Sequence, residues 1–374
     1  MKIALVTCSF LPEVGGASYV VHHLAQQWSL QGHEICVVNA TSDRVTEPDA
    51  LYTVKKYSMP RGSSRFGEHS LLFLWYYRRV ISKLLSDFNP DYISGHFAYP
   101  VAIWLSKTIP LRKFLITCHG SEIEKSQRPR NTFNIDALLA EALNKSQGVV
   151  AISTHQGSIL QSLGVNSSKV HYIPNGVDTK RFGSMVKFDL RARFGIPGDA
   201  MVILSVGSGR PVKCFDVGIK AFAKLHAQRA NSYYVVIGKN TDTCFPLAQE
   251  LGVTKNIFFC DGLYGDELIG AYQQADIFFS PSMQEGCPLV VLEAMASGLP
   301  VLATDISGSQ DLIKTGINGI VVKPGNVDEM ASALYRIAGD TSLRKQCASA
   351  NAVKAKSYDW YAVSCRYLEL MKSL

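Results

Sequence analysis

No stretch of this sequence is apolar for long enough to cross a bilayer. The strongest run, Leu-Leu-Phe-Leu-Trp-Tyr-Tyr from residue 71, falls far short of the roughly 20 residues a helical span needs. No Gly-x-Gly-x-x-Gly follows the first predicted strand, which argues against a dinucleotide-dependent dehydrogenase. The nine cysteines (Cys8, Cys36, Cys118, Cys214, Cys244, Cys260, Cys287, Cys347 and Cys365) lack metal-ligand spacing and are odd in number. They read as buried free thiols in a reducing compartment. Repeats and low-complexity tracts are absent. Charge is scarce, at 18% of residues, and 38 Lys plus Arg against 31 Asp plus Glu leaves a mild +7. That balance suits an anionic ligand or an anionic membrane surface and does not call for nucleic acid. The opening Met-Lys-Ile-Ala-Leu-Val-Thr-Cys imitates a short signal peptide. It gives way at once to Pro12, Glu13 and a glycine pair, so it reads as a first strand of a cytoplasmic protein.

What is present is length for two cores: 374 residues, 47% hydrophobic. Residues 2–7 are nearly all apolar, as a central parallel strand should be. A helix pattern over 18–31 and a strand at 35–38 complete a βαβ opening. Strands are predicted at 91–94, 113–118, 148–153 and 169–173. A second series falls at 201–206, 233–238, 256–259, 276–282, 301–304 and 320–324. The turn signal Pro174-Asn175-Gly176 lies between the two series. Residues 41–70, polar and carrying Pro60, Arg61 and Arg65, read as a long loop. Residues 71–86 read as a helix with Trp75, Tyr76 and Tyr77 beside Arg78, Arg79 and Lys83. Two readings stay open there: an interfacial helix on an acidic bilayer, or a core helix whose basic residues face water.

Residues 285–293, Glu-Gly-Cys-Pro-Leu-Val-Val-Leu-Glu, read as loop then helix between two strands. Pro288 suits a first helical turn, where its missing N–H is not needed. The unpaired amides of Leu289 and Val290 would then face the loop, and an anion is their natural guest. Glu293 lies on the helix and Glu285 outside it.

This stretch, with its Ser297-Gly-x-Pro-Val-x-Ala-Thr304 continuation, closely resembles the Glu-x7-Glu motif of retaining GT-B glycosyltransferases. Family 4, glycosyl transferases group 1, is the nearest likeness. The resemblance covers nearly the whole chain and is weakest over 41–110. It implies an α/β protein of the GT-B fold, two Rossmann-like domains facing a central cleft. The divisions expected are 1–175 on the acceptor side, 176–355 for the nucleotide-sugar, and a helix over 356–374 packing back on the first domain.

The resemblance also implies roles. Glu285 would hold the transferred sugar and Glu293 the ribose. Gly15 and Gly16 match a glycine-rich loop facing sugar and phosphates, although a plain tight turn is the alternative. His119, before Gly120, matches a histidine that bonds a donor-sugar hydroxyl near the reacting centre. His96 is expected as an acceptor contact, against an ordinary structural histidine. Glu122 is expected on the acceptor side, or as support for the loop. Ile173-Pro-Asn-Gly-Val-Asp178, with Phe182 four residues on, matches the passage between domains.

After the strand at 201–206 the family shows Gly-Arg, then Lys about five residues later, then Gly, the two cations clamping the diphosphate. Here Gly207 opens the loop, Lys213 matches, but Arg210 is only three residues before it and Cys214 replaces the glycine. Lys213 carries over; Arg210 must swing in from a shifted position. Gly238 would end a nucleotide-facing strand, and Gly262 and Leu263 would meet the nucleobase. Gly286, Cys287, Pro288, Leu289 and Val290 would border the diphosphate.

The expected reaction moves a hexose from a nucleoside diphosphate-sugar, UDP first and GDP second, to a glycan or lipid-linked glycan. The setting would be cell-envelope, lipopolysaccharide or exopolysaccharide synthesis, with peripheral contact to the inner face of an anionic plasma membrane. Positioning and stabilisation of the departing diphosphate would supply most of the catalysis. No nucleophile stands out in the first-domain motifs, so front-side attack is favoured over a covalent intermediate. No Asp-x-Asp cluster of the GT-A kind occurs, so neither a metal nor another cofactor is expected. The alternatives are a phosphorylase or sugar epimerase on the same scaffold, or a non-catalytic sugar-nucleotide-binding subunit of a glycan-assembly complex. The displaced Arg210 and Cys214 are the last one's only support.

Overall fold

A computed structural model describes residues 1–11, 15–39, 49–57, 73–108, 112–123 and 135–374. The chain divides into two compact units: Met1–Asn175 with Trp360–Leu374, and Gly176–Asp359.

Among its described residues the first unit holds seven parallel strands: β1 Lys2–Thr7, β2 Glu34–Asn39, β3 Thr53–Lys56, β4 Tyr92–His96, β5 Phe114–Cys118, β6 Gly148–Ala151 and β7 Val170–Tyr172, in spatial order 3-2-1-4-5-6-7. Ile3 to Val6 are fully buried, as a strand covered on both faces requires. The register brings three strand ends level. Thr7 pairs with His96 and His96 with Thr117, so β1, β4 and β5 end together. In an open parallel sheet the carboxyl ends of the strands are where ligands bind. His96, expected just beyond its strand, is the last residue within it.

Two other expectations change. The supposed loop over 41–70 contains β3, a short edge strand with sequence Thr-Val-Lys-Lys. Its lysines suit an edge, where charge blocks further pairing, and they also hide the strand's pattern. Pro60, Arg61 and Arg65 lie outside the described residues. The helix expected over 71–86 runs Leu74–Phe88 and buries Tyr77, Ile81, Leu85 and Phe88. Burial of such side chains contributes about 1.5–3 kcal/mol each. Tyr77 stacks on Trp104 at 4.3 Å inside the core. Residues 71–72 are outside the described set.

The helix Trp360–Ser373 completes this unit. Trp360 stacks on His23 at 4.9 Å, the Trp28 indole N–H donates to the Ser364 carbonyl at 3.1 Å, and the Thr117 and Tyr367 hydroxyls bond at 3.1 Å.

The second unit holds six parallel strands: β8 Met201–Val206, β9 Ser232–Ile237, β10 Ile257–Cys260, β11 Ile277–Ser280, β12 Val301–Thr304 and β13 Gly319–Val322, in order 10-9-8-11-12-13. The loops leaving β8 and β9 touch backbone to backbone. Gly207 N–H donates to the Ile237 carbonyl at 2.8 Å and Gly209 N–H to the Lys239 carbonyl at 2.7 Å. A Cβ added at Gly238 would stand 2.0 Å from the Gly207 carbonyl oxygen, so only glycine fits there.

Candidate functional site

In the second unit the organising loop runs from β11 to the helix Leu289–Ala296. Pro288 is the residue before that helix, in extended conformation, and the helix proper begins at Leu289. Within this turn the first backbone bond is donated by Val291, to the Pro288 carbonyl at 3.2 Å. The amides of Leu289 and Val290 therefore precede the helical ladder, as expected for an anion-receiving end. Gly265 occupies the cap of the helix Asp266–Gln274, and Asp266 is its first residue.

Glu285 is brought onto Lys213. The Lys213 ammonium donates to Glu285 Oε1 at 2.5 Å, with both side chains 13% exposed. Ser282 Oγ donates to the same oxygen at 2.9 Å. The loop itself is clamped from two sides. Met283 N–H donates to the Val212 carbonyl at 2.8 Å, beside the turn that carries Lys213. On the other side the Glu285 carbonyl accepts from Ser307 Oγ at 3.0 Å and Gly308 N–H at 3.2 Å. A Cβ on Gly308 would stand 2.7 Å from the Gly286 oxygen and 2.8 Å from that of Glu285. Cys287 and Pro288 are buried beneath this loop.

Arg210 stands apart from this arrangement. Its side chain is exposed, and its Nε donates to Ser208 Oγ at 3.2 Å. The cation at the Glu285 carboxylate is Lys213 alone among the described residues. Cys214, in the family's glycine position, takes a left-handed backbone with φ +50°.

Glu293 Oε2 accepts a hydrogen bond from the Tyr272 hydroxyl at 2.7 Å. Burial pushes its pKa up to about 7, against the opposing pull of that hydrogen bond. Tyr272 is fully buried and packs edge-on against Phe182 at 5.6 Å. Phe182, read from the sequence as part of a boundary signature, thus steadies the tyrosine that orients Glu293. Sequence reasoning missed Tyr272, Ser282 and Gly308. The one available signal was general: a buried tyrosine hydroxyl requires a partner. Gly262 lies under the Tyr264 ring, whose atoms would meet an added Cβ at 2.8–3.0 Å, and Leu263 is buried.

In the first unit, His119 follows β5. Its Nε2 lies 3.0 Å from Nδ1 of His96, the rings stacked with centroids 5.3 Å apart. Phe97, at φ +77°, covers it at 4.9 Å. Burial lowers His119 to about 3 and holds His96 well below the ordinary histidine value. His96 is fully enclosed, at 0% exposure, so the expected acceptor contact is corrected: its ring bonds His119 and Ser94. Glu122 accepts the His119 amide at 2.5 Å and backbone amides at Ala98, Gly120 and its own position. Desolvation raises its pKa, and the four amides oppose that rise. Its carboxylate is occupied in folding the loop that presents His119. Gly15 and Gly16 are exposed at the start of the helix Gly16–Leu30, and a Cβ at Gly15 would meet nothing within 4 Å. Among the described residues, packing does not demand glycine at Gly15. Pro12 and Glu13 lie outside the described residues.

Among the described residues no three His, Cys, Asp or Glu side chains gather as metal ligands. None of the described helices is long and apolar enough to cross a membrane.

Comparison with known proteins matches the model described as Glycosyltransferase Family 4 over residues 14–181 and that described as Glycosyl transferases group 1 over 186–354. An uncharacterized glycosyltransferase of Methanocaldococcus jannaschii is 26% identical over 97% of this chain and 95% of its own. A D-inositol 3-phosphate glycosyltransferase of Actinosynnema mirum is 32% identical over 52% of this chain, and the match spans about half of that relative's length, 49%. Among solved structures, HepE of Anabaena with UDP and glucose superposes with a TM-score of 0.84 at 17% identity, covering both chains completely. Two doubly wound parallel sheets carrying these two family halves in sequence make this a GT-B chain that belongs to the family 4, group 1 glycosyltransferases, enzymes that move sugars from nucleotide-activated donors.

Proposed function

We propose that the chain is a retaining hexosyltransferase that moves a sugar from a nucleoside diphosphate-sugar to a hydroxyl of a glycan or lipid-linked glycan in cell-envelope or exopolysaccharide synthesis. The observation that carries this is the Lys213–Glu285 pair on a loop that leads into the free amides of Leu289 and Val290. An ammonium and an amide-rich helix end suit a diphosphate. The carboxylate suits a sugar hydroxyl once Lys213 turns to phosphate. Glu293 takes the ribose. The bond between the anomeric carbon and phosphate breaks with its electron pair passing to the diphosphate. The acceptor oxygen bonds to the same face of that carbon, and its proton passes to the leaving phosphate oxygen. Stabilising the charge that grows on the diphosphate is the main electrostatic task. HepE holds UDP and glucose, which makes UDP-glucose the first donor to try; GDP-sugars come second.

The test is a pair of variants. Glu285→Ala should cost turnover about 100-fold or more while leaving UDP affinity nearly unchanged, because it acts on the sugar. Lys213→Ala should weaken both. Wild-type activity in both variants would sink the assignment. Donor binding with no transfer to any acceptor would favour the non-catalytic subunit.

Peripheral membrane contact is a second element of the proposal, with work on the cytoplasmic face. On the helix Leu74–Phe88, Trp75, Arg79 and Lys83 recur every four residues and are all exposed, Trp75 by 67%. The Arg79 guanidinium sits over the Trp75 ring at 5.8 Å. An aromatic ring with flanking cations suits a headgroup layer. Vesicles with and without anionic lipid test it in a flotation assay. Binding should require the anionic lipid and fall several-fold in Trp75→Ala/Lys83→Ala; equal recovery of both proteins with both vesicles refutes it.

A further inference from the structure

Beyond its place beside the sugar, His119 carries a question of proton position, and the surrounding residues answer it. Its Nε2 faces Nδ1 of His96 at 3.0 Å, and Nε2 of His96 faces Ser94 Oγ at 3.2 Å. Ser94 and His96 are both 0% exposed. Ser94 Oγ has no other partner among the described residues. His119 Nδ1 has no protein partner there either, and it is not among the buried polar atoms left unpaired, so among the described residues it is the nitrogen of that ring left uncovered. Burial keeps both rings neutral at ordinary pH, so each carries one proton.

Two arrangements satisfy the geometry. In one, the Ser94 hydroxyl donates to His96 Nε2, His96 Nδ1–H donates to His119 Nε2, and His119 presents Nδ1–H outward. In the other, every proton runs the opposite way: His119 Nε2–H donates to His96, His96 Nε2–H donates to Ser94, and His119 presents a bare lone pair. The second leaves the Ser94 hydroxyl proton buried with no acceptor. The first leaves only lone pairs unused. An unmet buried donor is the costlier fault.

We infer that Ser94 and His96 are positioning residues that fix the tautomer of His119, so that His119 offers an Nδ1–H donor to an oxygen lone pair of the donor sugar. The role in substrate contact rests on the function proposed above; the tautomer does not. It follows that His119 is not the base that takes the acceptor proton. A bare nitrogen would be needed for that, and the chain from Ser94 withholds it. The leaving phosphate oxygen remains as the proton's destination.

The test is nitrogen–proton long-range correlation NMR on the full chain labelled with 15N-histidine, His119 being assigned by its disappearance in His119→Asn. The expected spectrum shows Nδ1 protonated and Nε2 bare in both His96 and His119. A protonated Nε2 on His119 overturns the inference. His96→Phe keeps a stacked ring and removes the donor. In it His119 Nε2 loses the donor that bonds its lone pair, so its 15N resonance should move to that of a bare, unbonded ring nitrogen, and kcat/KM should fall on the order of tenfold, the worth of one hydrogen bond. Affinity for UDP alone, which lacks the sugar, should stay within about twofold. An unchanged His119 spectrum in that variant refutes the relay. If no donor supports transfer, the proposed function fails while the wild-type spectrum still decides the tautomer.

Discussion

Replacing Tyr272 with Phe removes one oxygen from the second unit and nothing from its packing, so it isolates what that hydroxyl does for Glu293. The bond is 2.7 Å long and runs from a neutral donor to a carboxylate. Such a bond contributes about 1.5–3 kcal/mol, and one pKa unit corresponds to about 1.36 kcal/mol. Its loss should therefore raise the Glu293 pKa by about 1–2 units from the value near 7 in the intact protein. In the ribose-holding role proposed for Glu293, only the ionised carboxylate can accept from both ribose hydroxyls. Donor affinity should thus be full above the pKa and fall as pH drops through it. At pH 7 about half of wild-type Glu293 is ionised, against roughly 1–10% in the variant, so affinity should fall about 5- to 50-fold. Above about pH 9.5 the two proteins should converge. The assay is isothermal titration with a nucleotide-sugar, whose esterified diphosphate does not titrate between pH 6 and about 9.5. Glu293→Gln should give a flat profile. Wild-type affinity that is also flat across that range, or an unmoved midpoint in Tyr272→Phe, would refute the reasoning. The same shift fixes a stability trend for the unliganded protein. The folded pKa exceeds the 4.5 of an unburied Glu, so the native state holds the proton more tightly and loses stability as pH rises from about 4.5 through about 7.

Backbone geometry sets two further outcomes. Gly308→Ala drives a methyl group against the carbonyls of Glu285 and Gly286, costs about 1–3 kcal/mol as overpacking, and should lower kcat well beyond its effect on UDP affinity; kinetics and titration together read this. Cys214→Gly frees a left-handed position and should add about 0.5–1 kcal/mol of stability, seen as a higher urea midpoint at unchanged slope.

The strands were legible wherever both faces are covered, because β1, β5 and β8 are near-continuous apolar runs that no surface element needs. Edge strand β3 was not, since Lys55 and Lys56 obey the demands of an edge and so break the pattern of a buried strand. The loop carrying Glu285 was legible through its glycine, proline and paired carboxylates. What those groups touch was not. Tyr272 stands 21 residues from Glu293, Ser94 and His96 lie 25 and 23 residues before His119, and nothing local marks them as partners. Tertiary register brings them together, and β4 against β5 sets that register only in the folded sheet.

The helix Trp360–Ser373 belongs to the unit that the chain begins, and this has a bearing on synthesis. Domains ordinarily fold as they leave the ribosome, the first one first. Here the second unit, Gly176–Asp359, is synthesised in full before the segment that covers Trp28 and Tyr367's partner Thr117. A released chain cut after residue 359 would thus contain a complete second unit and an incomplete first, its uncovered helix Gly16–Leu30 being the surface a chaperone would find.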